Sequence, residues 1–160
     1  MPKGFTLIEV LVVMVIISIV TTVALLSVGR NQTKVMQGVI TDFTQSLSLA
    51  EEQAMLAPAV LGVSVNGQAW RFFQRLNQQA VAWEPVSDDG LNPRSIPENI
   101  AVNLQVLGRS MPDAGAAPQI IISSNGDITP FTLTIGVRGK PPQFQVKGAV
   151  DGSLSTERLS

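Results

Sequence analysis

Cysteine and histidine are both absent from the 160 residues of this chain. Without cysteine there is no disulfide, no thiolate nucleophile and no sulfur ligand. Without histidine the commonest acid–base catalyst goes too, and with it the usual zinc sites. Charge is scarce: 14% of residues are charged and the net charge is −1, so nothing draws the chain as a whole toward nucleic acid or anionic lipid. Proline is missing between Pro2 and Pro58, which leaves a long stretch free to be helical. No EF-hand spacing, Gly-rich phosphate loop or Gly-x-Ser-x-Gly elbow is present, and the serines have no imidazole to activate them. These absences argue against an enzyme and against a resident metal or cofactor. There is no internal repeat either.

What the chain has instead is apolar sequence, 45% of all residues, concentrated at the start. Lys3-Gly4-Phe5-Thr6-Leu7-Ile8-Glu9-Val10 opens a run that stays apolar to Val28, interrupted only by Ser18, Thr21, Thr22 and Ser27. Those hydroxyls can bond back to a helix carbonyl. As a helix, residues 5–28 would span about 35 Å, enough for a hydrocarbon core of about 30 Å. A secretory signal peptide is a poor description, because Lys3 is the lone basic residue before the run, the run is too long, and no Ala-x-Ala site closes it. A single-pass anchor with Lys3 in the cytoplasm explains the hydrophobicity but not Glu9. An intramembrane carboxylate costs about 2.5–3.5 kcal/mol at mid-bilayer. The cost falls at a helix N-terminus, where the dipole is positive, and falls further beside a cation. A free amine on Phe5 of a neighbouring copy, made by cleavage after Gly4, would be such a cation.

Beyond the run, Gly29-Arg30-Asn31 marks an exit from the membrane, yet helical periodicity continues. Val35, Val39, Phe43 and Leu47, flanked by Ile40, Ala50 and Ala54, form one stripe, with Thr33, Lys34, Gln37, Thr41, Gln45, Glu51 and Glu52 mostly elsewhere. The pattern predicts one helix ending near Ala57-Pro58, with a stripe that the rest of the chain must cover. Strand signals follow at residues 59–65 and 68–76 around Asn66-Gly67, and at 80–86. Further strands are expected at residues 100–106 and 143–147. Residues 119–124 and 131–137 read as a second hairpin about Asn125-Gly126-Asp127. Residues 108–118, rich in Gly, Pro and Ala, read as a loop, and the last ten as a frayed polar tail. The expected fold class is α+β: a long N-terminal helix, transmembrane in its first half and amphipathic in its second, packed on a small antiparallel β-sandwich head. The expected segments are 1–4, 5–28, 29–57, 58–150 and 151–160.

Gly4-Phe5-Thr6-Leu7-Ile8-Glu9 resembles the class III signal of type IV pilins and type II secretion pseudopilins. The resemblance implies that residues 1–4 are a leader, that prepilin peptidase cuts between Gly4 and Phe5 and methylates the new Phe5 amine, and that Phe5 and Glu9 guide assembly into a filament. Leu47-Ser48-Leu49-Ala50-Glu51-Glu52-Gln53-Ala54, with Ala57-Pro58 and Leu61-Gly62-Val63, resembles the helix end and first strand of the H-type minor pseudopilin. Ile121-Ile122-Ser123-Ser124-Asn125-Gly126-Asp127-Ile128-Thr129-Pro130-Phe131 resembles its late hairpin. The likeness covers residues 3–146 and is loosest over 86–118. It implies a pilin-like fold and a single pass through the inner membrane with the head in the periplasm. It also implies a place near the tip of a pseudopilus that exports folded proteins. The implied partners are other major and minor pseudopilins, the peptidase and the inner-membrane assembly platform, with the outer-membrane secretin or cargo beyond them.

The remaining candidates have plainer readings. Glu51 and Glu52 read as a solvated helix face, with one carboxylate in reach of a backbone amide. Asp88 and Asp89 before Gly90 resemble a pseudopilin calcium site only in part, since further acidic ligands are lacking, and read as a turn. Trp70, Phe72, Phe73 and Trp83 read as core rather than as a binding platform. Arg138, Lys140 and Lys147 bear on a rival, a type IV minor pilin serving pilus assembly or DNA uptake. DNA binding without base reading needs a dense basic stripe, and residues 151–160 carry at least as many acids as bases, so secretion ranks above it.

Overall fold

The computed structural model describes residues 5–57, 59–75, 82–86, 90–111 and 117–159, with residues 25–30 as backbone only. The chain forms two compact units, Met1–Gln37 and Gly38–Ser160. One helix, α1 (Leu7–Leu56), contributes to both.

In the first unit α1 begins after Thr6, whose carbonyl accepts from the N–H groups of Glu9 (3.1 Å) and Val10 (3.3 Å). Residues Leu7–Ala24 have mean hydropathy 2.7 and none is buried, so by length and composition this stretch is suited to crossing a membrane. Ser18, Thr21 and Thr22 donate to the carbonyls of Met14, Ile17 and Ser18 at 2.7–2.8 Å, so these three polar interruptions are satisfied within the helix as expected; the Ser27 side chain lies outside those described. Farther along, Val35 is half-buried and the adjacent Met36 takes the fully buried position, one residue from the expected stripe.

The second unit holds the rest of α1 and, among the described residues, ten antiparallel strands: β1 (Val60–Val65), β2 (Ala69–Arg75), β3 (Glu84–Pro85), β4 (Arg94–Ser95), β5 (Ile100–Val106), β6 (Arg109–Ser110), β7 (Ile120–Ile122), β8 (Phe131–Val137), β9 (Phe144–Gly148) and β10 (Leu154–Arg158). One sheet runs β3-β2-β1-β7, with β4 also on β2; the other runs β10-β9-β8-β5-β6. Val39, Ile40, Phe43, Leu47, Ala50 and Ala54 of α1 are buried with residues of both sheets. Phe43 ties the layers together. Its ring meets Trp70 of β2 edge-on at 5.6 Å and Phe131 of β8 at 5.9 Å. Trp70 Nε1 donates to Ser46 Oγ (3.2 Å), and that hydroxyl donates to the Phe43 carbonyl (2.9 Å), so the buried indole N–H is satisfied.

The β1–β2 hairpin turns where Asn66-Gly67 predicts it. Asn66 Oδ1 accepts from the N–H groups of Gln68 and Ala69, and the Asn66 N–H donates to the Ala69 carbonyl at 2.9 Å. Four expectations change. Of residues 80–86 only Glu84–Pro85 pair as a strand; residues 76–81 lie outside those described. The late hairpin is shorter than expected: Ser123 pairs with Asp127 and Ile122 with Ile128, and the chain then leaves for the other sheet. β7 pairs with β1, whereas β8 pairs with β5 and β9. Pro130 sits at the transfer point, where a missing N–H costs no ladder bond. In residues 108–118, Arg109–Ser110 fold back on β5 as β6, and 112–116 lie outside the described residues. Finally, the tail is not frayed over Leu154–Arg158, which pair in full register with β9. Backbone bonds hold an edge strand without any apolar alternation to betray it.

Candidate functional site

The N-terminal motif can be rebuilt from its backbone. Thr6 precedes the first helical residue and accepts the first helical bonds, which makes it the N-cap; Glu9 then stands in the first turn, at the third helical position. Thr6-Leu7-Ile8-Glu9 is thus a capping-box pattern, T-x-x-E, a role for Thr6 that the apolar reading passed over although the spacing was there to see. The unsatisfied N–H groups of this turn place partial positive charge beside the Glu9 carboxylate. Around it Phe5, Leu7 and Ile8 are 81%, 83% and 70% exposed. The site is therefore one carboxylate at the head of a bare apolar cylinder, able to accept a cation from outside the chain. Lys3 and Gly4 lie outside the described residues.

In the head the structure separates the other candidates. Trp70, Phe72 and Phe73 are core; Trp83 is half-buried on the outer side of β1 and β2, with the Arg75 guanidinium 5.0 Å from its ring centroid. Asp88 and Asp89 lie outside the described residues, and among those described no three Asp, Glu, His or Cys side chains gather as a metal site. Glu52 is exposed, while Glu51 is half-buried beside the turns holding Gly126 and Gly152. Asn125-Gly126-Asp127 is the turn expected, with Gly126 at φ 89° and Asn125 Nδ2 donating to Asp127 Oδ2 at 2.6 Å. Asp151 caps the β9–β10 turn: its Oδ1 accepts from the Ser153 hydroxyl (2.6 Å) and N–H (3.0 Å), which hold its carboxyl below the ordinary aspartate value.

The basic residues do not converge. Lys147 is opposite Thr132 in the β8–β9 ladder and pairs with Glu157 of β10 at 3.0 Å. Arg138 lies beyond the other end of β8, its Nε donating to the Glu98 carbonyl at 2.8 Å. Six residues of strand rise put them about 20 Å apart.

Comparison with known proteins agrees with both halves of this description. Residues 2–25 match the prokaryotic N-terminal methylation motif. Over 142 residues the chain is 30% identical to type II secretion system protein H of Escherichia coli (strain K12), covering 86% of this chain and 82% of the relative. The protein of that description from Vibrio cholerae is 28% identical over 188 residues, covering 95% and 92%. Among solved structures, the crystal structure of the minor pseudopilin EpsH from the V. cholerae type II secretion system superposes with TM-score 0.68 at 25% identity, covering 79% of this chain and 96% of that one. The solution structure of E. coli GspH gives 0.61 at 26% identity, covering 74% and 84%.

Proposed function

The chain belongs to the type II secretion system protein H family, the minor pseudopilins, and from that premise we propose how its parts work. Prepilin peptidase cuts between Gly4 and Phe5 and methylates the Phe5 amine. Glu9 then accepts the amine of a neighbouring subunit as the helices stack. The anchor spans the inner membrane once through Leu7–Ala24, with the head in the periplasm. The subunit joins other pseudopilins at or near the pseudopilus tip, above the assembly platform and facing the secretin, and its part in export is mechanical rather than catalytic.

The observation that carries this reading is the exposed carboxylate in the first turn of a helix whose next residues are otherwise lipid-grade. A solitary anchor gains from a charge there only the modest stabilisation of its own helix end, whereas an assembling one also gains a specific partner. Expressed with its partner subunits, Gly4→Ala should be processed less well, read as accumulated precursor mass; an unchanged mature mass would remove the cleavage role of Gly4. Glu9→Ala should insert and be processed but fail to co-purify with other pseudopilins and fail to restore secretion. Wild-type recovery from Glu9→Ala would remove the assembly role. Deleting the gene and scoring secretion beside twitching and DNA uptake decides between the pseudopilus and the type IV pilus; loss of secretion alone is expected.

A further inference from the structure

The head carries an open strand edge whose geometry specifies what would fill it. Among the described residues β10 is bonded on one side only, to β9. The Ala149 N–H donates to the Ser153 carbonyl at 3.0 Å and the Leu159 N–H to the Gln143 carbonyl at 2.9 Å, which fixes the phase of the ladder. Ser155 and Glu157 therefore turn their backbone groups inward to Lys147 and Gln145, and Leu154, Thr156 and Arg158 turn theirs outward. Among the described residues this is the longest edge strand in either sheet; β3, β4 and β6 are two residues each and β7 is three. It carries no proline. Glu157 and Arg158 guard it against indiscriminate pairing, so a strand that adds here must suit its side chains as well as its backbone.

Alongside the edge runs a groove of about 520 Å³ between β10 and α1, lined by Leu154 and Thr156 on one wall and by Gln45, Ser48, Leu49 and Glu52 on the other. A strand added to β10 would drop alternate side chains into it. Leu49 and Leu154 offer an apolar seat. Glu52 is the charged group of that lining and forms no ion pair among the described residues.

We propose that β10 is a docking edge for an extended segment of a different pseudopilin, added as a further strand. Its inward side chains are an apolar residue over Leu49 and Leu154 and a lysine or arginine reaching Glu52. This deepens the reading of the chain as a subunit that assembles with other pseudopilins, and rests on it. The test uses the full-length chain in detergent, alone and with the full-length minor pseudopilins of the same system, and follows amide exchange residue by residue. The outward amides of Leu154, Thr156 and Arg158 should exchange freely in the chain alone and slow about tenfold or more in the complex. Thr156→Pro removes an outward N–H and no β9 bond, and Glu52→Lys reverses the charge on a helix surface; each should weaken the complex about tenfold or more. A complex whose outward amides stay fast, or which survives both substitutions, overturns the proposal while leaving the pseudopilin reading standing. Protection that grows with concentration in the chain alone makes the occupant a second copy and overturns it too. If no complex forms at all, the assembly reading fails and takes the proposal with it.

Discussion

Leu107 is the one described residue other than glycine with positive φ, at 50°, and it stands 73% exposed at the turn between β5 and β6 beside Gly108 at φ 75°. A two-residue turn of this hand requires positive φ at both positions, where asparagine is favoured and a bulky side chain is strained. Leu107→Asn is expected to raise stability by about 1 kcal/mol, read as a higher urea midpoint at constant slope. Asp151 gives a residue-scale pH effect. Its carboxyl is held below the ordinary value of 3.8, first by the Ser153 hydroxyl and then by the Ser153 N–H. A depressed folded-state pKa contributes stability that is present above the unfolded value and lost as pH falls from there through the folded one. Ser153→Ala should move the Asp151 titration back toward 3.8, seen in its side-chain carbon shift by NMR, and should lessen the loss of stability in that acid range.

Among the elements, the ones legible in the sequence were those that bury a face. α1 declares itself through the unbroken apolar run and then through Val39, Phe43 and Leu47, and its end at Leu56 falls within two residues of Pro58. β1, β2, β5 and β8 show apolar residues at every second position facing the core, and Asn66-Gly67 fixes the first turn. β10 was illegible for the opposite reason: it is nearly all exposed, and the bonds that hold it are blind to side chain. The transfer at Thr129-Pro130 was missed because local pattern says where strands are but not which sheet receives them. At the site, the motif from Gly4 to Glu9 was readable from residue types alone, while Thr6 as a cap needed the helix start to be seen. Gly148 shows how one strand serves another. It pairs with Phe131 across the β8–β9 ladder, and the space a side chain would take is filled by the Phe131 ring on its way to Phe43. Gly148→Ala should therefore displace that ring and cost about 1–3 kcal/mol, measured by denaturant unfolding.

At the scale of the whole molecule, the near-neutral charge and the separation of Arg138 from Lys147 suit a subunit recognised by shape and strand edges rather than by a field. The pairing of β1 with β7 has a further consequence, in time rather than space. As the chain is made, β2 follows β1 directly, but the other flank of β1 is answered only by Ile120–Ile122, some sixty residues later. Until then Leu61 and Val63 lie on a half-built sheet with one side unbonded, and Phe43 lacks the Phe131 ring. Nascent chains stopped before residue 120 should be seized by chaperones or cut by proteases, and those reaching residue 150 should resist both. Quality control thus has a long window in which the membrane helix is already made and the head cannot yet close.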